Sequence, residues 1–216
     1  MPAIHRNLAK FGLIIFSAII LGSSVRPPCF ANTFPNPPVI QPTVKFWLSI
    51  YTEYTLTEGV VHDSRYPEII YAVIDLKHPD SHGANRINKQ RMRQARHTYR
   101  NILDRLIRHP DSNDPEARRV ANLFGTRVSP DQLEKAKRRI RCQVGQRDRF
   151  REGLIRSGTH IHQIRTIFRQ AGLPEDLAYL PHVESSFNYR AYSKSGAAGI
   201  WQFTRRTGRH YLQLDY

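Results

Sequence analysis

Cysteine is nearly absent. The chain of 216 residues holds two, Cys29 and Cys142. Cys29 falls in an N-terminal segment that reads as a targeting signal, so an exported chain would keep Cys142 alone. That excludes an internal disulfide and a cysteine-rich metal site. Long apolar runs are missing too. The N-terminal candidate, Phe11–Gly22, is twelve residues, too short to span a bilayer comfortably. Acidic residues are scarce: 18 Asp and Glu face 33 Lys and Arg, a net charge of +15. No internal repeat and no phosphate-binding glycine loop appears, which argues against solenoids and P-loop nucleotide enzymes.

What the N-terminus does contain is His5, Arg6 and Lys10, then the apolar run, then Cys29-Phe30-Ala31 with small residues two apart. This is the layout of a secretory signal cleaved after Ala31. The alternative is an uncleaved anchor. Arg26-Pro27-Pro28 precede Cys29 where a lipidated cysteine needs small and apolar residues. The expectation is therefore an exported protein of the periplasm or envelope, with membrane association as the variant in which the segment stays. Most of the excess charge lies in Arg86–Arg156, where twenty Lys and Arg meet eight Asp and Glu. For an exported chain this suits an anionic envelope surface, although a solvated helical face would look the same. Nucleic acid is not expected as a partner.

Composition and periodicity predict a mainly α (α+β) fold in five segments: 1–31 signal, 32–43 Pro-rich linker, 44–85 small helix-plus-strands region, 86–158 basic helical region, 159–216 the segment of interest below. Asn32–Pro42 holds four prolines in eleven residues and is expected to be extended. Val44, Trp47, Leu48, Tyr51 and Tyr54 recur at helical spacing. Val60–His62 and Ile69–Leu76 are β-branched and predict strands. His62-Asp63-Ser64 gives no triad, since residues adjacent along the chain rarely meet in that geometry. Met92, Ala95, Tyr99, Ile102 and Leu106 form a helical seam. Asp114-Pro115-Glu116 and Ser129-Pro130-Asp131-Gln132 are helix starts, the second a capping box. The latter predicts a helix to about Val144, with Leu133, Ala136, Ile140 and Val144 inward. Phe150 and Leu154 suggest a further turn or two. Thr159 is placed to cap a helix Ile161–Ala171 that Gly172 ends. His160 and His162 point apart and predict no metal site; no cofactor is expected.

Leu173–Gly208 is the most informative stretch. Pro174, Glu175 and Asp176 suit a first helical turn. Leu177, Leu180 and Glu184 share a face, with a kink at Pro181. A carboxyl at the edge of a buried apolar face has a raised pKa, which suits a general acid. A polar loop follows, then a predicted short helix Ala197–Thr204 carrying Ile200, Trp201 and Phe203. Gly196 and Gly199 either let backbone approach a ligand or serve plain turn chemistry.

The residues Glu184, Ser185, Phe187, Asn188, Ala191, Ser193, Gly196, Ala197, Gly199, Ile200, Trp201 and Gln202 fill the pattern E-S-x-(F/W)-(N/D)-x-x-A-x-S-x-x-G-A-x-G-(L/I)-(M/W)-Q. The stretch resembles the catalytic motif of lytic murein transglycosylases of the soluble-lytic-transglycosylase type. Together with GLPEDLAYLPHVES it resembles their membrane-bound lytic transglycosylase D-like branch. The resemblance covers roughly Ile161–Tyr211 well and implies the N-terminal half of a lysozyme-like α domain. The sequence ends fourteen residues past Gln202, without the family's A-Y-N-A-G-like segment, so a truncated domain is expected. The implied substrate is the peptidoglycan glycan strand. The implied reaction cleaves the MurNAc-GlcNAc β-1,4 bond and leaves a 1,6-anhydro-muramoyl product. Glu184 would be the single catalytic acid–base, and Ser185, Ser193, Gly196, Ala197, Gly199 and Gln202 substrate-contacting positions. Glycosidases of the usual kind need two carboxylates. Within Leu173–Tyr216 the other acids are Glu175, Asp176 and Asp215, and the first two lie more than two helical turns from Glu184, about 12 Å or more along the axis. The alternative is a non-catalytic or vestigial peptidoglycan-binding protein.

Overall fold

A computed structural model describes residues 34–125 and 128–211. The signal segment 1–31 and Asp215 lie outside the described residues. The fold is mainly helical with two small sheets, as expected. No helix among the described residues is long and apolar enough to cross a membrane.

The proline-rich stretch is less of a linker than its composition predicts. A 3-10 turn, Pro38–Ile40, runs directly into α1, Gln41–Thr52, with Pro42 in the first helical turn. Proline is tolerated there because that amide has no helical partner. The buried face of α1 also differs from expectation. Phe46 and Ile50 are buried, at 4% and 0% exposure, and with Val60 form a small cluster. The predicted stripe stays largely open, with Val44, Trp47 and Leu48 all exposed. The helix is apolar on two faces, and a single-stripe reading picks the wrong one.

The larger sheet contains β1 (Glu58–Asp63), β2 (Ile70–Asp75) and β3 (Ile140–Val144) in the order β2-β1-β3, with both pairings antiparallel. Val61 stands opposite Ala72 on one side and Cys142 on the other. Both faces of β1 are covered: Val60 turns to α1, while Val61 enters the main core. Helices α2 (Ala84–Arg108), α3 (Pro115–Asn122) and α4 (Pro130–Arg139) complete that core with Ile102, Leu103, Leu106, Ala117, Val120, Leu133 and Ala136. Each fully buried Leu, Ile or Val contributes about 1.5–3 kcal/mol. Both caps read from sequence are present. Asp114 accepts from the Glu116 amide at 3.0 Å, and Ser129 and Gln132 form the reciprocal capping box.

The helix predicted to run to Val144 stops at Arg139. Ile140 takes an extended backbone, φ −58° and ψ 122°, and the chain joins β1 as β3. Ile140 is buried as expected, but from a strand. Beside it Asp63 is fully buried and accepts from Arg139 Nε at 2.9 Å and from the Arg65 and Tyr66 amides at 2.8 and 3.1 Å. The His62 ring turns to the Asp63 carbonyl and Ser64 is exposed, so no triad forms.

After β3 the chain crosses back to α1. The Gln146 amide donates to the Ile50 carbonyl at 2.8 Å, and the Arg147 amide to the Tyr54 carbonyl at 3.0 Å. The Leu56 amide donates to Asp148 Oδ2 at 2.8 Å. Gly145 makes this seam possible: a Cβ there would lie 2.3 Å from the Tyr54 carbonyl carbon and oxygen. Helix α5 (Arg147–Ser157) thus starts locked to the end of α1. Helix α6 (Ile161–Gln170) follows, preceded by His160 rather than capped by a Thr159 side chain. Gly172 ends it at φ +70°.

Candidate active site

Glu184 is the last residue of a five-residue helix, α7, Leu180–Glu184. Pro181 does not kink a longer helix, as predicted, but opens this one; a separate 3-10 helix, Glu175–Tyr179, comes before it. The two leucines expected to be buried are not the anchors. Leu180 is 45% exposed, whereas Ala178, Pro181 and His182 are buried. Phe187 is buried as well and meets the His182 ring at 4.5 Å. Phe150 of α5 meets the same ring at 5.3 Å. An aromatic cluster, not a leucine stripe, therefore holds Glu184 in place.

Glu184 is exposed as a residue, and no hydrogen bond or ion pair engages its carboxyl among the described residues. Protein packed around the carboxyl still raises its pKa, because burial weakens hydration of the charged form. His182 carries the opposite shift, its pKa lowered by burial, and its Nδ1 is buried without a partner. Glu175, another acid of the segment, is engaged by two arginines. Arg169 and Arg165 grip it at 2.6 and 3.0 Å, and Arg169 before Arg165 holds its carboxyl below the ordinary range.

The turn after Glu184 is tightly held. Ser186 and Phe187 have left-handed backbones, φ 53° and 55°, a conformation disfavoured for side chains other than glycine. Arg156 Nε donates to the Ser186 carbonyl at 2.9 Å. Gly153 of α5 packs so closely that a Cβ there would sit 3.1 Å from Ser186 atoms. Ser185 donates its hydroxyl to the Ile200 carbonyl at 2.9 Å and accepts from the Asn188 amide at 3.2 Å. Its hydroxyl braces the loop from within.

The segment Ala197–Thr204 is not the helix that Ile200, Trp201 and Phe203 suggest. It is a hairpin of β4 (Ala197–Ala198) and β5 (Phe203–Thr204), with Ala197 opposite Thr204. The reason is backbone handedness. Gly196, Gly199 and Gln202 all have positive φ, at 81°, 74° and 49°, which an α-helix cannot contain. The Ala197 amide donates to the Ser193 hydroxyl at 2.9 Å, and Ser193 reaches the Ser195 hydroxyl at 3.0 Å. The Gln202 amide nitrogen donates to the Gly199 and Ala191 carbonyls at 2.8 and 3.3 Å. Trp201 stands edge-on to Phe168 of α6 at 5.9 Å. The predicted positions thus come together as one loop-and-hairpin unit, in which Ser185, Ser193 and Gln202 are bonded to backbone.

One group near Glu184 has no signal in the motif. Tyr51, on α1, has its phenol pKa raised by burial and then by the Glu184 carboxylate. Its ring meets Phe150 at 5.7 Å. The helical periodicity of α1 marks Tyr51 as apolar-face, but only the fold brings it to the site.

An unpaired carboxyl of raised pKa thus stands beside a strained turn and a glycine-bearing hairpin. Residues 166–214 match the Transglycosylase SLT domain family. Over 57 residues the chain is 39% identical to membrane-bound lytic murein transglycosylase D of Escherichia coli (strain K12), covering 26% of this chain and 13% of that protein. Over 56 residues it is 36% identical to a protein of Alteromonas sp. (strain M-1) named for tributyltin chloride resistance, covering 26% of this chain and 27% of that one. The chain therefore matches only a small part of the length of these relatives. No solved structure matches it significantly.

Proposed function

We propose that this protein is an exported lytic transglycosylase acting on peptidoglycan glycan strands, with Glu184 as its single acid–base. The observation that supports this most directly is the state of Glu184: accessible, unpaired and raised in pKa, while Glu175 is held by two arginines. Glu184 gives its proton to the glycosidic oxygen as the bond from C1 of N-acetylmuramic acid to O4 of the next sugar breaks. The ionised carboxylate then takes the proton of the same sugar's C6 hydroxyl as that oxygen bonds to C1. Water is not consumed, the product is a 1,6-anhydro sugar, and Glu184 ends protonated. Ser185 and Gln202 fix the backbone of the loop and hairpin, and Gly196, Ala197 and Gly199 keep it low enough for a sugar to approach. Ser193 sets the mouth of the loop. We assign this chemistry to the segment 159–216 and the supporting frame to 44–158.

The test is product analysis on purified peptidoglycan. The expected product carries the 1,6-anhydro end and no label when the reaction runs in ¹⁸O-water. Glu184→Gln keeps size and hydrogen bonding but holds no transferable acid proton, so cleavage falls by at least ~10⁴-fold, the upper end for acid–base help. Full activity in Glu184→Gln overturns the assignment, and label in the product moves the reaction to hydrolysis. A second reading, wall binding without cleavage, draws on the exposure of Glu184. It predicts peptidoglycan retention with no product from either protein.

A further inference from the structure

Helix α1 has two apolar faces. Phe46 and Ile50 fill one against the sheet. On the other, Trp47 is 41% exposed and Tyr51 is half-buried, their ring centroids 6.3 Å apart. Tyr51 follows Trp47 by four positions, so they stand about one turn apart, ~6 Å along the axis. That advance is comparable with one pyranose in an extended β-1,4 chain.

This face is continuous with the Glu184 site. Tyr51 touches Phe150 at 5.7 Å, Phe150 touches His182 at 5.3 Å, and His182 lies two residues before Glu184. The seam at Gln146 and Arg147 holds α1 to α5, and Arg156 holds α5 to Ser186. Trp47 and Tyr51 are thus presented to the site on a fixed support. Aromatic faces pair with the C–H faces of sugars, while the Trp N–H and Tyr O–H offer polar edges to hydroxyls and acetamido groups. Tyr189 and Tyr192, in the loop after Glu184, are exposed aromatics as well.

We infer that Trp47 and Tyr51 form a glycan subsite on α1, an aromatic wall that receives the amino-sugar chain next to Glu184. The subsite rests on the function proposed above, but it lies outside the segment matched to the transglycosylase family. It would bind β-1,4-linked N-acetylhexosamines by stacking, without contact to the peptide stems.

The test uses tetra-N-acetylchitotetraose, an amino-sugar chain without lactyl groups or peptide, and the Glu184→Gln protein, so that binding is read without cleavage. The chain has two tryptophans, Trp47 and Trp201, and hence two indole N–H resonances. Titration is expected to shift the Trp47 indole. Trp47→Ala, at an exposed position, is expected to weaken the sugar about tenfold while melting like its parent. Tyr51→Phe, which keeps the ring, retains most of the affinity, and Tyr51→Ala does not. A shift of Trp201 alone, no shift of either indole, or unchanged affinity in Trp47→Ala overturns the subsite. So does a Trp47 response to phosphatidylcholine vesicles in place of the sugar. None of these outcomes touches the Glu184 assignment, which is read separately from the cleavage product of the wild-type protein.

Discussion

Glu184 carries a stability cost set by its neighbours. Its native pKa is raised above the ordinary 4.5, so the unfolded chain loses this proton first as pH rises. Between 4.5 and the native value the folded state holds more protons than the unfolded one, and stability falls with rising pH. Above that window the penalty is complete. Glu184→Gln is therefore expected to melt higher than wild type at pH 7 and equally at about pH 3, where both states are protonated. Calorimetry at the two pH values checks this, and a gain present at both would point to packing instead. Asp63 is the contrasting carboxylate, fully buried and bonded on both oxygens. Asp63→Ala leaves the Arg139 guanidinium and two backbone amides without a partner, and removing one side of a buried pair costs about 3–5 kcal/mol. The loss is measured as a shift of the urea midpoint with little change in slope.

Among the elements, β3 and the β4–β5 hairpin show how far local pattern reaches. Leu133, Ala136, Ile140 and Val144 fit a helical face, and the first three are indeed buried. Ile140 and Val144 nevertheless belong to a strand, because β1 offers an unpaired edge that no neighbour in sequence announces. The hairpin follows the same logic with a different cause: Gln202 is left-handed although nothing in its side chain demands it. Strong local chemistry, by contrast, was readable, as in the Asp114 and Ser129 caps and the Gly172 stop. Ser129→Ala is expected to cost about 1 kcal/mol, seen as a modest fall in thermal midpoint. The seam before α5 is far less forgiving. Gly145→Ala forces a methyl into the Tyr54 carbonyl, and with backbone on both sides about 4 kcal/mol or more is expected. Denaturant titration should show it, and a near-neutral Gly145→Ala would mean that the α1–α5 joint can slide.

For the whole molecule, the motif positions from Glu184 to Gln202 do come together as one loop-and-hairpin unit, while the groups packed around them depend on long-range contacts. Tyr51 and Phe150 join it only because the sheet and the α1–α5 seam bring distant segments together. The charge pattern was readable throughout. The first turns of α2 carry Arg86, Lys89, Arg91, Arg93, Arg96 and Arg100 with no acid among them. Retention on an anionic polymer such as polyglutamate is expected to fade as salt rises, since exposed charges are screened over about 8 Å at physiological ionic strength. Salt-insensitive retention would indicate a shaped pocket for the polymer. The close approach of Gly153 to Ser186, with Arg156 holding the same carbonyl, has a consequence for genetics. If the chain acts on the wall as proposed, a selection for loss of that activity would return alleles well upstream of the matched segment. Changes at Gly145, Asp148 or Gly153 would score with the catalytic nulls, yet suppressors that restore the joint between helices would rescue them, and no such suppressor would rescue a change at Glu184.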